Sequence, residues 1–182
     1  MGLSSLERVM LINQYKILEK LYPDEASHYQ RLIKVLERGY ELHYDRIYED
    51  LWEEMSAAEC KEVLEIIDLY RVLAATLDKY GDNPIVKKED VRFPGFDSGS
   101  EAKQLFFTQY FLHDLVRFKA LHSPDGQYDS REPMLPVYRK MLQVWYRFPN
   151  RFSLTLEQVL LVLKVDDGPA NDPYGGNIIP CT

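Results

Sequence analysis

The sequence contains little cysteine and no long apolar run. Only two of its 182 residues are cysteine, Cys60 and Cys181, which is too few for a disulfide framework and is typical of a reducing compartment. Its apolar stretches all fall short of the roughly 20 residues that a membrane-spanning helix needs. Residues 1–7 also lack the basic region and apolar run of a secretory signal. We therefore expect a cytoplasmic protein that does not associate with membranes.

The sequence also lacks the short motifs that mark common catalytic and cofactor sites. It has no Gly-x-Ser-x-Gly nucleophile elbow and no glycine-rich phosphate loop followed by Lys-Ser or Lys-Thr. Glu25 and His28 match half of a di-iron motif, but the second Glu-x-x-His that such a site needs is missing. His113 and His122 can lie near each other, where surface or capping roles are the default. The sequence therefore predicts no catalytic residue, no cofactor and no metal ligand.

Charge is distributed unevenly along a chain whose formal net charge is −7. Residues 41–68 carry ten acidic and two basic side chains, whereas residues 133–151 carry four basic and no acidic ones. The overall acidity disfavours a dominant role in binding nucleic-acid phosphates. The two stretches are either ordinary solvated faces or complementary surfaces, within one chain or between subunits.

Helix signals dominate, and we predict an all-α fold, a compact bundle of about seven helices. The capping-box pattern, Ser or Thr followed three residues later by Glu or Gln, occurs at four sites: Ser4/Glu7, Ser56/Glu59, Ser98/Glu101 and Thr155/Gln158. The predicted helices cover residues 5–21, 25–38, 44–54, 57–80, 101–121, 135–146 and 156–165. For the second helix, Asp24 is the expected N-cap and Gly39 the left-handed C-terminal cap.

We predict one helical domain over residues 1–165 and an unstructured, Gly/Pro-rich tail over residues 166–182. Prolines and glycines break the helical pattern in residues 81–99, which should form an irregular connection. Ile67 and Leu115 lie centrally on the two most apolar helices, so both should be nearly fully buried. The first helix carries an apolar stripe formed by Leu6, Met10, Ile17, Leu18 and Leu21.

Aromatic residues are abundant, including 13 tyrosines, and they suggest an interaction surface. Tyr, Trp and Arg concentrate at the energetic centres of protein interfaces, and one segment combines these residue types. The candidate interface residues are Arg139, Lys140, Trp145, Tyr146, Arg147, Phe148 and Arg151. The leading hypothesis is a non-enzymatic helical module that self-associates, most simply as a two-fold dimer, and that can bind another protein.

Two other hypotheses remain open at this stage. One is a small enzyme whose site is assembled between helices, with Asn13, Tyr15, Arg38 and His113 as its polar lining. The other is a regulator that contacts nucleic acid through residues 139–151, because basic side chains interleaved with aromatic rings can stack on single strands. A deep pocket with convergent polar groups would favour the enzyme, and an exposed aromatic patch would favour the interface.

Several segments, in the same order along the chain, resemble the YfbU-like bacterial proteins. They are Leu11 to Lys16, Glu37 to Tyr40, Cys60 to Tyr70, the Gly95-Phe96-Asp97 turn, and Pro133-Met134 followed by Tyr138, Met141 and Trp145. The resemblance covers roughly residues 5–164 and implies a compact, mainly helical cytoplasmic protein. It supplies no catalytic or ligand-binding residue to carry over. The tail after Val165 departs from the family pattern.

Overall fold

The computed structural model describes residues 2–81, 84–123 and 126–166. In this part of the chain the fold is all-α, and β pairing is limited to one isolated bridge between Phe96 and Asp129. Seven α-helices occur there: α1 (Ser5–Leu21), α2 (Ala26–Arg38), α3 (Asp45–Tyr48), α4 (Ala57–Tyr80), α5 (Ala102–Gln109), α6 (Leu135–Trp145) and α7 (Leu156–Leu163). The predicted tail falls outside the described residues apart from Asp166.

The chain divides into two compact units, an N-terminal unit (Met1–Glu54) and a C-terminal unit (Met55–Thr182). In the N-terminal unit, α1 packs against α2. The Arg8 side chain fastens α1 to the end of α2, donating from Nε to the Leu36 carbonyl at 2.7 Å and from Nη2 to the Glu37 carbonyl at 3.1 Å. Gly39 ends α2 with a φ of 68°, which confirms the predicted left-handed cap.

The C-terminal unit is built around α4, which has nine buried residues, eight of them in one continuous hydrophobic core. Ile67 is completely buried there, as predicted. Rings from separate segments meet beside α4, with centroids 5.1 to 6.1 Å apart: Tyr70, Phe93, Phe96, Tyr128 and Tyr138. The irregular connection after α4 is confirmed, because its described residues contain only one 3-10 turn, Glu89–Val91.

Gly95 allows this connection to approach the backbone of Tyr128. Its φ is 95°, and a Cβ atom added there would lie 1.8 Å from the Tyr128 carbonyl oxygen. The close approach lets Phe96 N–H donate to that carbonyl at 2.8 Å, while the Tyr138 hydroxyl donates to the Gly95 carbonyl at 2.6 Å. Only glycine allows both the positive φ and the close approach to the Tyr128 carbonyl at this position.

Three of the four predicted capping boxes are present, at the starts of α1, α4 and α7. The fourth, Ser98/Glu101, is wrong because the Glu101 carboxylate is used elsewhere. It is buried and accepts three backbone N–H groups, from Asp97 at 3.1 Å, Met134 at 3.0 Å and Leu135 at 2.7 Å. Asp24 is also not an N-cap, since Pro23–Glu25 forms a 3-10 turn and Glu25 precedes α2 without a side-chain cap bond.

The long helix predicted over residues 101–121 is broken into shorter pieces. It consists of α5, a π-helical turn at Tyr110–Asp114 and a 3-10 turn at Lys119–Leu121. Between the turns, Val116 and Phe118 adopt left-handed backbone angles, with φ of 51° and 45°. As a result Leu115 is 44% exposed, and the prediction that it is buried is wrong.

Candidate functional site

The predicted interface segment contacts acidic residues of the same chain. Arg139 on α6 donates two hydrogen bonds to Glu62 on α4, from Nε to Oε1 at 2.7 Å and from Nη2 to Oε2 at 2.9 Å. The Glu62 carboxylate thereby raises the pKa of the Arg139 guanidinium. Glu62 belongs to the acidic stretch and Arg139 to the basic one. At this point, therefore, the two stretches complement each other within one chain.

A second contact joins α4 to the end of α6, and a groove lies between the two helices at this point. The Tyr146 hydroxyl donates to Glu65 Oε2 at 2.5 Å. Burial of the Tyr146 hydroxyl is the main cause, and this hydrogen bond the second cause, of a rise in the pKa of Tyr146 to about 12. The groove has a volume of about 370 Å³, and it is lined by Ala58, Lys61, Glu62, Glu65, Arg139, Leu142, Gln143 and Tyr146.

Trp145 and Arg151 stabilise the fold of this region. Trp145 is only 2% exposed, and its Nε1–H donates to the Arg151 carbonyl at 2.6 Å. The Arg151 guanidinium lies 5.1 to 5.2 Å from the ring centres of Trp145, Tyr146 and Phe152, within cation–π range. These contacts already use much of the segment's aromatic surface.

The other predicted interface residues differ in their exposure. Lys140 and Arg147 are exposed, while Phe148 is half-buried against the core. An interface between subunits at this segment therefore stays a prediction. Four of the candidate residues are exposed enough for a partner to reach: Arg139, Lys140, Tyr146 and Arg147.

The residues suggested for an inter-helix enzyme site lie in different units. Asn13, Tyr15 and Arg38 belong to the N-terminal unit, and His113 belongs to the C-terminal unit. Asn13 is exposed, whereas Tyr15 stacks on Tyr29 at 6.1 Å. Burial raises the pKa of the Tyr15 hydroxyl. Arg38 is exposed in the last turn of α2.

His113 takes part in a small polar cluster that the sequence only hinted at. The Tyr128 hydroxyl accepts from Ser123 N–H at 3.2 Å and lies within hydrogen-bond distance of His113 Nε2, at 3.1 Å. The His122 ring stacks on His113 at 5.0 Å, and its Nε2 lies 2.8 Å from the Arg117 carbonyl. These hydrogen bonds hold the strained segment that follows the π-helical turn.

A polar cleft of about 440 Å³ lies beside this cluster. Its wall includes Arg131, a non-glycine residue with a φ of 61°. Asp129 holds that conformation, because its Oδ1 accepts Arg131 N–H at 3.0 Å and Ser98 N–H at 3.2 Å. These bonds lower the pKa of Asp129. The cleft is lined by Glu89, Arg92, Phe93, Pro94, Ser123, Gln127, Asp129, Ser130 and Arg131.

The charges around this cleft do not select one class of ligand. Two acidic and two basic side chains share its wall, and all four are exposed to water. Screening by water makes such surface charges weak anchors. Sequence reasoning missed the cleft because its residues come from two irregular segments that carry no motif.

The most unusual surface lies on α1, which has no buried residue. Five large apolar side chains of this helix are 53% to 71% exposed, although sequence periodicity suggested a stripe facing a core. We call them the α1 apolar face: Leu6, Val9, Met10, Ile17 and Leu21. Large apolar side chains that are exposed together on one helix are typical of interaction sites. Periodicity revealed the stripe but not its exposure.

Among the described residues, no group of three or more histidine, cysteine, aspartate or glutamate side chains has the geometry to hold a metal ion. No helix in the same residues combines the length and the apolar character that crossing a membrane requires.

Comparison with known proteins places the chain in a family. The model of the YfbU domain matches residues 1–165. A UPF0304 protein of Methanocaldococcus jannaschii is 33% identical to this sequence over 168 residues, covering 89% of this chain and 99% of the relative. A match along nearly the whole of both chains agrees with the resemblance found in the sequence. The chain belongs to the YfbU family.

Proposed function

We propose that this protein is a helical interaction module that acts by self-association rather than by catalysis. The observation that carries the proposal is the exposure of the α1 apolar face. An apolar side chain contributes about 25 cal/mol for each Å² that it removes from water, so five exposed side chains on one helix favour association. The exposed Leu51 and Trp52, at 70% and 64%, add to the apolar surface of the same unit.

The polar sites in the described residues are better suited to binding than to catalysis. The cleft lined by Arg92 and Arg131 is open, and its mixed charges are exposed. The buried polar groups described above, Glu101 and the Tyr138 hydroxyl, hydrogen-bond to backbone groups that would otherwise lose their partners. A catalytic acid or base needs an accessible, concave setting instead.

Sedimentation of the full chain tests this proposal. At micromolar concentration we expect the wild-type protein to sediment at a multiple of its 21.4 kDa monomer mass, most simply as a dimer. High salt should leave the assembly intact, because apolar burial is not screened as ion pairs are. A protein that sediments at 21.4 kDa at every concentration up to the millimolar range contradicts the proposal.

A further inference from the structure

We infer that the α1 apolar face binds the same face of a second copy of this chain, with the two α1 helices running antiparallel. This inference rests on the proposed self-association and adds the surface, the partner and the orientation. A two-fold arrangement is the expected one, because a single face can then satisfy itself.

The pattern on α1 reads almost the same in both directions. Along one side of the helix, Leu6, Met10, Asn13, Ile17 and Leu21 follow one another at spacings of three or four residues. The amide of Asn13 lies near the middle of this row, with two apolar side chains of the row towards each end. Val9, the remaining residue of the α1 apolar face, lies beside the row in its N-terminal half. A face of this kind matches itself after a half-turn about an axis near Asn13.

Antiparallel pairing brings apolar residues from opposite ends of the face into contact at equal heights. Leu6 of one copy then lies opposite Leu21 of the other, and Met10 lies opposite Ile17, because both pairs are centred between residues 13 and 14. The two Asn13 amides meet near the axis, where each can both donate and accept. A polar residue at one such position specifies orientation and the number of helices, at some cost in affinity.

The charges at the helix ends favour the antiparallel orientation over the parallel one. Glu7 lies in the first turn of α1 and Lys20 in the last, and both are exposed. Antiparallel helices place Glu7 and Lys20 of different copies at the same end of the pair, and the helix dipoles also oppose each other there. Parallel helices would place like charges side by side.

The size of the face predicts a dimer of modest affinity. A helix of 17 residues is about 25 Å long and about 10 Å wide. The area of one of its faces is therefore smaller than the roughly 800 Å² that each partner buries in a standard interface. We therefore expect dissociation in the micromolar range, unless the rest of the N-terminal unit also contributes. This range can be measured directly by sedimentation.

Disulfide cross-linking tests the surface and the orientation together. In the full chain with Cys60→Ala and Cys181→Ser, we would introduce Leu6→Cys and Leu21→Cys, separately and together. Within one helix these positions are about 22 Å apart, so they cannot form an intrachain disulfide. We expect an oxidised dimer from the double variant and none from either single variant.

The possible outcomes separate this inference from the proposed function. A disulfide dimer from Leu6→Cys alone indicates parallel helices and overturns the inference. If no variant cross-links while the Cys60→Ala, Cys181→Ser background still sediments as an oligomer, self-association stands but α1 is not its surface. A background and wild type that are both monomeric overturn the inference and the proposed function.

A charge at the centre of the face provides an independent test. Asn13→Asp places two carboxylates near the two-fold axis, so the dissociation constant should rise by at least about tenfold at neutral pH. Lys34→Gln, on an exposed position of α2, changes the net charge by the same amount and serves as the control. Equal effects of the two variants would overturn the inference.

Discussion

The N-terminal and C-terminal units use similar apolar residues in opposite ways. The C-terminal unit gathers its apolar side chains into one core, from Val63 on α4 to Val162 on α7. Among the described residues of the N-terminal unit, four hydrophobic ones are buried, whereas eleven large ones are exposed. The difference teaches that amphipathic periodicity predicts a helix and its apolar side, but not what covers that side. The N-terminal unit has the composition of a folded domain, but many of its large apolar side chains are exposed to water.

The sharpest way to test this comparison is to truncate one isoleucine in each unit. Ile67→Ala removes a completely buried side chain from the core of the C-terminal unit, and it should lower the free energy of unfolding by about 2–5 kcal/mol. Ile17→Ala changes a residue that is 60% exposed. It should change the stability of the monomer by less than about 0.5 kcal/mol.

Urea unfolding measures both changes, at a protein concentration low enough to keep the chain monomeric. If Ile17→Ala costs as much as Ile67→Ala under these conditions, α1 is buried in solution and the comparison fails. If Ile17→Ala is costly only at high concentration, the loss belongs to self-association.

A smaller effect is expected at the end of α2. Gly39 has a φ of 68°, where a β-branched residue is strained, so Gly39→Val should destabilise the protein by roughly 1 kcal/mol or more. Asn tolerates this conformation better than other residues with a side chain. Gly39→Asn is therefore the matched control and should cost less, as measured by urea unfolding. Equal losses would show that bulk, rather than backbone strain, is responsible.

The smallest expected effects concern the capping boxes that both units share. Ser56→Ala removes the cap of α4 and should cost about 1 kcal/mol in global unfolding. Ser4→Ala removes the corresponding N-cap from α1, a helix that has no buried residue. It should increase amide hydrogen exchange in the first turn of α1 and leave global unfolding almost unchanged.

The same boxes predict a dependence on pH. Hydrogen bonds from Ser4 lower the pKa of Glu7, and hydrogen bonds from Ser56 lower the pKa of Glu59. A carboxyl whose pKa is lower in the folded state stabilises that state above its unfolded pKa and loses the effect as the pH falls through its folded pKa. Carbon-detected NMR titration should show each glutamate pKa returning towards its ordinary value in the matching serine variant. An unchanged Glu59 pKa in Ser56→Ala would contradict the cap.

The sequence predicted helices best where local chemistry sets their ends. The limits of α1 and α4 agree with the prediction because a capping box begins each helix and Tyr22-Pro23 or Gly81 follows its end. The helix over residues 101–121 was overextended, since its apolar residues continue through the point where Val116 and Phe118 become left-handed. Tertiary contacts overrode periodicity there, and no local residue signals the change.

The candidate surface was predictable only in part. Composition singled out the basic, aromatic segment as a candidate interface, but Trp145 contacts the core and Arg139 pairs with Glu62, which lies 77 positions earlier. Pairing over such a distance in sequence cannot be inferred from composition. The α1 apolar face was visible as a stripe, yet its exposure emerged only from the structure.

Glu101 has a consequence for how this family can vary. One buried carboxylate holds the N–H groups of Met134 and Leu135 at the start of α6 while it also precedes α5. These hydrogen bonds fix the position of the start of α6 relative to the start of α5. They do so directly, without depending on the more than twenty residues of chain between the two helices. Insertions or deletions in the exposed parts of that connecting chain, away from the buried Leu112, Leu121 and Tyr128, can accumulate without moving α6, so relatives should differ in length there more readily than within α4.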